Sequence, residues 1–213
     1  MLRISFLTDN PDSWIIPFVN NLEKIVSRRH QVARCFKFED IPIGEISFFL
    51  SCERIVPAYI LKRNAHNIVV HPSDIPLGRG FSPLSYQILE GKNIIPICLF
   101  EAAEKVDSGQ VYYRDYINLE GHELNSETKE LQGRKTIQMI LRFLDDYPNV
   151  TGKIQQGESS FYKRRTAKDS KLDTKKSIAE QFDLLRIVDN ERYPAFFCYR
   201  GTEFIIKIYK KEK

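Results

Sequence analysis

Between Asn67 and Ser108 the chain reads NIVVHPSDIPLGRGFSPLSYQILEGKNIIPICLFEAAEKVDS. An apolar run, Asn67–Val70, ends in His71. A loop punctuated by Pro72, Pro76, Gly78 and Gly80 follows, then a helical pattern over Ser82–Glu90 closed by Gly91. A second apolar run, Ile94–Phe100, leads to a turn containing Asp107, thirty-six residues after His71. Strand, loop, helix and strand in that order are what a layered α/β domain is made of. In open sheets of this kind ligands bind beyond the carboxyl ends of the strands. His71 stands at such an end.

The flanking sequence continues the pattern. Arg3–Leu7, Gln31–Phe36 and Ile46–Leu50 read as strands. After Arg3–Leu7 comes a turn cluster, and Asp12 or Ser13 is placed to cap a helix whose apolar face is Phe18, Leu22, Ile25 and Val26. Arg54–Arg63 reads as a short helix limited by Pro57. Gln110–Leu119 alternates like a half-buried strand. Glu123–Asp146 is the longest helix, with Leu131, Ile137, Ile140, Leu141 and Leu144 on its face. These signals predict an α/β, Rossmann-like arrangement, a mostly parallel sheet flanked by helices, over residues 1–150.

Composition changes after Pro148. Residues 151–213 hold 15 Lys+Arg against 9 Asp+Glu, a balance of +6, whereas residues 1–150 carry −2. The polar, basic stretch 152–170 reads as a linker or as an ordered loop crossing the body. A helix capped by Thr174 and running to Arg186, with Ile178, Phe182 and Leu185 on its face, precedes a hairpin of Ala195–Tyr199 and Phe204–Tyr209. Residues 151–213 are therefore expected to form a linker and a small C-terminal α+β subdomain. The edge strands of that hairpin are open to pairing in a homodimer.

Several classes of function are disfavoured. A net charge of +4 with no basic stripe argues against nucleic acid as the partner, although a basic end beside an acidic body suits an anionic small molecule such as a nucleotide diphosphate. GxGxxG, GxxxxGK[ST] and GxSxG are absent, and no His, Cys or Glu spacing suits a metal. Cys35, Cys52, Cys98 and Cys198 lack CxxC spacing and read as reduced, buried thiols of a cytoplasmic protein. The apolar run at the N-terminus is too short for a signal peptide, and no run reaches the ~20 residues of a membrane span. His30, His66 and His122 fall in polar turns and read as surface residues.

His71 and Asp107 remain. A lone histidine is more often structural, and an aspartate in a DSG turn can simply bond its own backbone. Together at neighbouring strand ends, an imidazole and a carboxylate can move a proton. The loop between them combines fixed φ at its prolines with close approach at its glycines.

HPSDIPLGRGFSP followed by VDSG resembles the folate-dependent formyltransferase family. That family shows Asn-x-His, a Ser-Leu-Leu-Pro-like loop with a glycine, and Asp-Thr-Gly or Asp-Ser-Gly. His71 matches the histidine, Ser73–Pro76 the loop, Gly80 the glycine and Asp107 the aspartate. Arg54-Ile55-Val56 resembles the segment that lines the family's pterin pocket. FYKRRTAKDSKLD and LLRIVDNERYPAFF, the latter Leu184–Phe197, resemble the post-catalytic region of members acting on nucleotide-linked amino sugars. The resemblance implies a formyltransferase fold and transfer of a formyl group from 10-formyltetrahydrofolate to a primary amine, without a metal. It implies His71 and Asp107 as catalytic groups and Arg54, Ile55, Val56, Ser73, Pro76 and Val106 around the folate. Gly78, Arg79, Gly80 and Phe81 would face the acceptor, and Lys163, Arg164 and Arg165 would hold its diphosphate. Methionyl-tRNA and glycinamide ribonucleotide are alternative acceptors. One departure stands out: Val69 occupies the position of the family's asparagine. Asn67 lies ~13 Å from His71 along an extended strand and cannot replace it. A folate-binding homologue with impaired catalysis is the further alternative.

Overall fold

A computed structural model describes residues 1–211. Four strands run parallel: β1 (Arg3–Leu7), β2 (Gln31–Cys35), β3 (Gly44–Phe49) and β4 (Asn64–His71). β6 (Ile94–Glu101) and β7 (Val111–Asn118) complete a six-stranded sheet in the order β2-β1-β3-β4-β6-β7. Here β5 denotes the two-residue strand Arg79–Gly80, which lies outside that sheet. The sheet is mostly parallel as expected, but β6 is antiparallel to both neighbours. The cause is α3 (Pro83–Leu89), which at seven residues spans about 10 Å. An eight-residue strand is about 26 Å long, so this helix cannot carry the chain back along β4. The chain stays at the His71 end and turns into β6 from there.

Apolar residues cover both sheet faces. Phe6, Phe48, Ile68 and Leu99 pack under α1 (Ile16–Val26) and α4 (Asn125–Asp146). Phe48 meets Phe143 of α4 edge to face, 6.1 Å between centroids. On the other face Leu7 and Phe49 pack with Phe38, Ile41 and Ile60. Ile60 belongs to α2 (Ala58–Leu61), a single turn instead of the expected 54–63 helix. Pro57 is extended there, and residues 53 and 54 are pulled away by a buried carboxylate described below.

Other expectations shift. The Asn10 side chain accepts the Asp12 amide, so this stretch is a turn, and α1 has no side-chain cap. Its buried face is Val19, Leu22 and Val26, with Ile25 exposed. On α4 the face centres on Ile137, Met139, Ile140 and Phe143. His66 is a half-buried member of β4, not a surface turn residue, with Nδ1 3.1 Å from Glu101 and 3.2 Å from the Tyr112 hydroxyl. Cys198 is exposed, and all four cysteines are free.

Residues 152–170 are an ordered crossing. Lys153 bridges to Val111, and β8 (Phe161–Tyr162) pairs in parallel with β5. The last helix, α5 (Phe182–Ile187), is shorter than the expected 174–186, and Ile178 is exposed. The Gln181 side chain bonds the Asp173 backbone through both its amide atoms, which keeps 173–178 a turn. β9 (Ala195–Tyr199) and β10 (Thr202–Ile206) form the hairpin. Arg200 and Gly201 both have positive φ, 48° and 80°, the signature of a two-residue type I′ turn. That turn starts β10 earlier than the expected Phe204. Among the described residues no helix is long and apolar enough to cross a membrane.

Candidate active site

The site grows from the ends of β1, β3 and β4. Asp9 follows β1 with its side chain 1% exposed. Its carboxylate accepts the backbone N–H of Glu53 at 2.8 Å and of Arg54 at 2.9 Å, with Arg54 Nε 3.4 Å away. One buried acid thus fixes the loop after β3. Ser51, in that loop, has φ of 54°.

His71 is the last residue of β4 and is 8% exposed. Its Nε2 lies 3.0 Å from the Gly78 carbonyl oxygen. A carbonyl only accepts, so Nε2 carries a proton and donates. Asp107 Oδ2 is 3.8 Å from the same nitrogen, and Phe100 meets the ring edge to face. Asp107 sits at φ 51°, and its Oδ2 accepts the Gly80 amide at 2.9 Å. The carboxylate therefore does not serve a local turn. It clasps the 78–81 loop and faces the imidazole.

Two clefts meet at His71. The smaller, ≈ 200 Å³, is largely apolar and includes Phe49, Ile55, Val56, Val69, Phe100 and Val106 in its walls. The larger, ≈ 560 Å³, includes Trp14, Tyr193, Lys129, Arg164, Arg165 and Arg192. Ser51, Cys52, Glu53, Val70, His71, Gly80 and Phe81 line both. Burial pushes the Cys52 thiol up to about 12, so it is protonated at neutral pH and is no nucleophile. Arg164 pairs with Glu53 at 2.9 Å and stacks on Phe81, 5.1 Å from the ring centroid. The Asn10 amide and Arg164 outweigh burial and hold the Glu53 carboxyl below the usual range.

The structure brings Arg54, Ile55, Val56, Val106 and Asp107 to the smaller cleft and Gly80 and Phe81 to both. Ser73, Pro76, Gly78 and Arg79 line neither. Ser73 and Pro76 are buried, Gly78 acts through its carbonyl on His71, and Arg79 turns back onto Gln155 and Phe161. Val69 faces the smaller cleft. Asn67 is pinned away from it, its Nδ2 donating to Leu61 O at 2.8 Å. Arg164 and Arg165 reach the larger cleft, whereas Lys163 does not line it. Sequence reasoning missed Asp9, Lys129, Gln155, Ser160 and Arg192. None carried a distinctive signal; Asp9 stands in the turn cluster after β1, where acids are common.

No protein-family model matches the chain. It is similar to the methionyl-tRNA formyltransferase of Mycoplasma capricolum subsp. capricolum, 25% identical over 155 residues, which cover 70% of this chain and 49% of that protein. The chain spans about half the length of the curated relatives it matches. Among solved structures, the methionyl-tRNA formyltransferase of Clostridium thermocellum superposes with a TM-score of 0.85 at 22% identity, covering 100% of this chain and 94% of that one. A 4-N formyltransferase from Francisella tularensis gives 0.79 at 17% identity, covering 100% and 99%. HypX of Aquifex aeolicus in complex with tetrahydrofolic acid gives 0.78 at 16% identity, covering 97% of this chain and 37% of that one. The likeness establishes an α/β, Rossmann-like formyltransferase fold with smaller C-terminal α+β elements.

Proposed function

We propose that this chain, built on a formyltransferase fold, transfers a formyl group from 10-formyltetrahydrofolate to a primary amine of an anionic acceptor, in the first place a nucleotide-linked amino sugar. One observation carries the reading. His71, with Asp107 3.8 Å from its Nε2, stands where an apolar slot meets a larger cleft walled by cationic side chains.

The smaller cleft fits a folate ring. At ≈ 200 Å³ it falls below the roughly 300–1,000 Å³ of a site enclosing a drug-sized ligand, so it suits a ring system with the remainder outside. Ile55, Val56 and Val106 would hold the ring, and Arg54 stands at the same wall. Bound there, the folate would supply an electrophilic one-carbon unit. The apolar walls exclude water from it, which strengthens every charge interaction at the junction. The hydrogen bond to Gly78 O keeps the proton on Nε2. As imidazolium the ring donates to an oxygen gaining negative charge; as neutral imidazole it takes the proton the amine releases at Nδ1. Asp107 stabilises the charged ring in either role.

In this reading residues 1–150 carry the chemistry. Residues 151–213, a linker and small C-terminal subdomain, contribute Arg164, Arg165 and Arg192 to the acceptor cleft. Guanidinium groups bind phosphate oxygens in pairs, which suits a diphosphate. The four free cysteines agree with a cytoplasmic setting. A methionyl-tRNA acceptor is the second reading, supported by the similarity to methionyl-tRNA formyltransferases. A third, folate binding with impaired turnover, is supported by Val69 in the slot wall.

The test is a panel of amines assayed with 10-formyltetrahydrofolate: nucleotide-linked amino sugars, methionyl-tRNA and glycinamide ribonucleotide. Formylation of a nucleotide-linked amino sugar is expected. Formylation of methionyl-tRNA alone selects the second reading. Folate binding with no turnover on any amine selects the third.

A further inference from the structure

The 152–164 crossing grips both halves of the candidate site. On one side, the Gly78 amide donates to Ser160 Oγ at 2.8 Å and the Phe81 amide to Tyr162 O at 3.1 Å. On the other side stands Gln155. Its Nε2 donates to Asp107 O at 2.8 Å and to Gly109 O at 2.7 Å. Its Oε1 accepts from Arg79 Nη2 at 2.6 Å.

The orientation of this amide is fixed by chemistry. A guanidinium only donates and a backbone carbonyl only accepts, so the side chain must present oxygen to Arg79 and nitrogen to the turn. Arg79 is 6% exposed, and its Nε has no partner among the described residues. The bond to Gln155 is therefore a main satisfaction of a buried cation. The two carbonyls bracket Ser108 in a turn that holds Asp107 in the left-handed region. That turn cannot settle elsewhere cheaply: Gly109 is so close to Glu101 O that a Cβ would lie 1.8 Å from it. The result is a chain of contacts from a segment distant in sequence to the reacting centre. Gln155 sets the Asp107 backbone, and the Asp107 carboxylate meets the Gly80 amide and faces His71 Nε2.

We infer that Gln155 is a positioning residue for formyl transfer, acting through Asp107. The inference rests on the proposed function, and its test separates the two. Gln155→Glu is nearly isosteric and keeps the partner for Arg79, yet sets a carboxylate against two carbonyl oxygens. The turn is then pushed away while the crossing stays packed. Misplacement of about 1 Å at a reacting centre costs ~100-fold in rate, and that is the fall in kcat expected for Gln155→Glu. Folate affinity stays within about threefold of the wild type, because Val106 and Asp107 form one edge of a slot whose other walls stay in place, and Tm is little changed, because the crossing stays packed. Gln155→Leu, which removes both polar ends, gives the same loss of kcat.

Hydrogen exchange supplies a readout that needs no turnover. Exchange at the Gly80 amide and across residues 106–109 is expected to quicken in Gln155→Glu, since Asp107 no longer protects that amide. Normal kcat in both folded variants overturns the inference. So does loss of folding in both, which would make Gln155 a structural residue. If the wild type formylates none of the amines, the proposed function falls, and unchanged exchange in Gln155→Glu would then overturn the positioning role as well.

Discussion

His71 and Asp107 converge from opposite sides of one loop. The Gly78 carbonyl accepts a hydrogen bond from Nε2–H, and Asp107 both faces that nitrogen and holds the Gly80 amide. His71→Ala is expected to lower turnover by at least ~100-fold, the lower end for a positioned acid–base group. Steady-state kinetics check this, and near-normal turnover would contradict the role. Gly109 gives a second prediction. A methyl group there would meet Glu101 O, so the backbone must move. Gly109→Ala should cost roughly 1–3 kcal/mol, as overpacking does, seen as a lower urea midpoint; an unchanged midpoint would contradict the packing. At this scale the sequence was legible where rare residue types clustered at strand ends, as at His71 and Asp107. It was silent where common polar residues act through distant partners. Asp9 reads like any turn acid until β1 and β3 are seen side by side. Gln155 reads like a linker residue until the crossing is laid over Asp107.

Three non-glycine residues at the two clefts, Ser51, Ser82 and Asp107, have positive φ. Such residues cost of order 1–3 kcal/mol each and persist where the surroundings over-determine them. Ser51 follows β3, Ser82 precedes α3 and Asp107 follows β6, so all three lie in loops that line the clefts. The alternation of apolar runs and helical faces was enough to place β1 to β4, α1 and α4. It was not enough to show that β6 reverses, because direction depends on how far α3 can carry the chain. Nor did it show that α5 is one short helix. That helix is anchored by Arg186, 1% exposed, through Asp183 at 2.7 Å and Asn93 at 2.8 Å, with Glu123 3.6 Å away. Arg186→Ala leaves Glu123 buried without that partner. It should destabilise the protein by roughly 3–5 kcal/mol in urea unfolding, the cost of breaking a buried pair. A change under about 1 kcal/mol would contradict that anchoring role.

Beside the apolar core, ionised carboxylates add a pH-dependent part to the stability of the whole molecule. Burial alone would raise Asp189, but the Arg192 and Glu191 amides and Lys129 of α4 outweigh it and hold the acid below its usual range. Burial likewise opposes ionisation of Glu123, and the Glu120 and Gly121 amides outweigh it. Glu53 is lowered by Asn10 and Arg164. In the unfolded chain these groups take up protons near pH 4, and in the fold they do so only at lower pH. As pH falls through that interval the unfolded state binds more protons, so stability decreases. The urea midpoint should therefore be lower at about pH 3.5 than at pH 7, and equal midpoints would contradict the ion pairing. The basic bias of residues 151–213, visible in the sequence, becomes Arg164, Arg165 and Arg192 in the wall of the larger cleft.

Folate occupancy of the smaller cleft is the claim on which the rest depends. Calorimetric titration with 5-formyltetrahydrofolate, an unreactive isomer of the donor, tests it on the wild type and on Ala103→Trp, which fills the slot wall. Saturable one-to-one binding that Ala103→Trp abolishes is the expected result. No binding to the wild type at millimolar ligand, or equal binding to both proteins, would contradict the assignment.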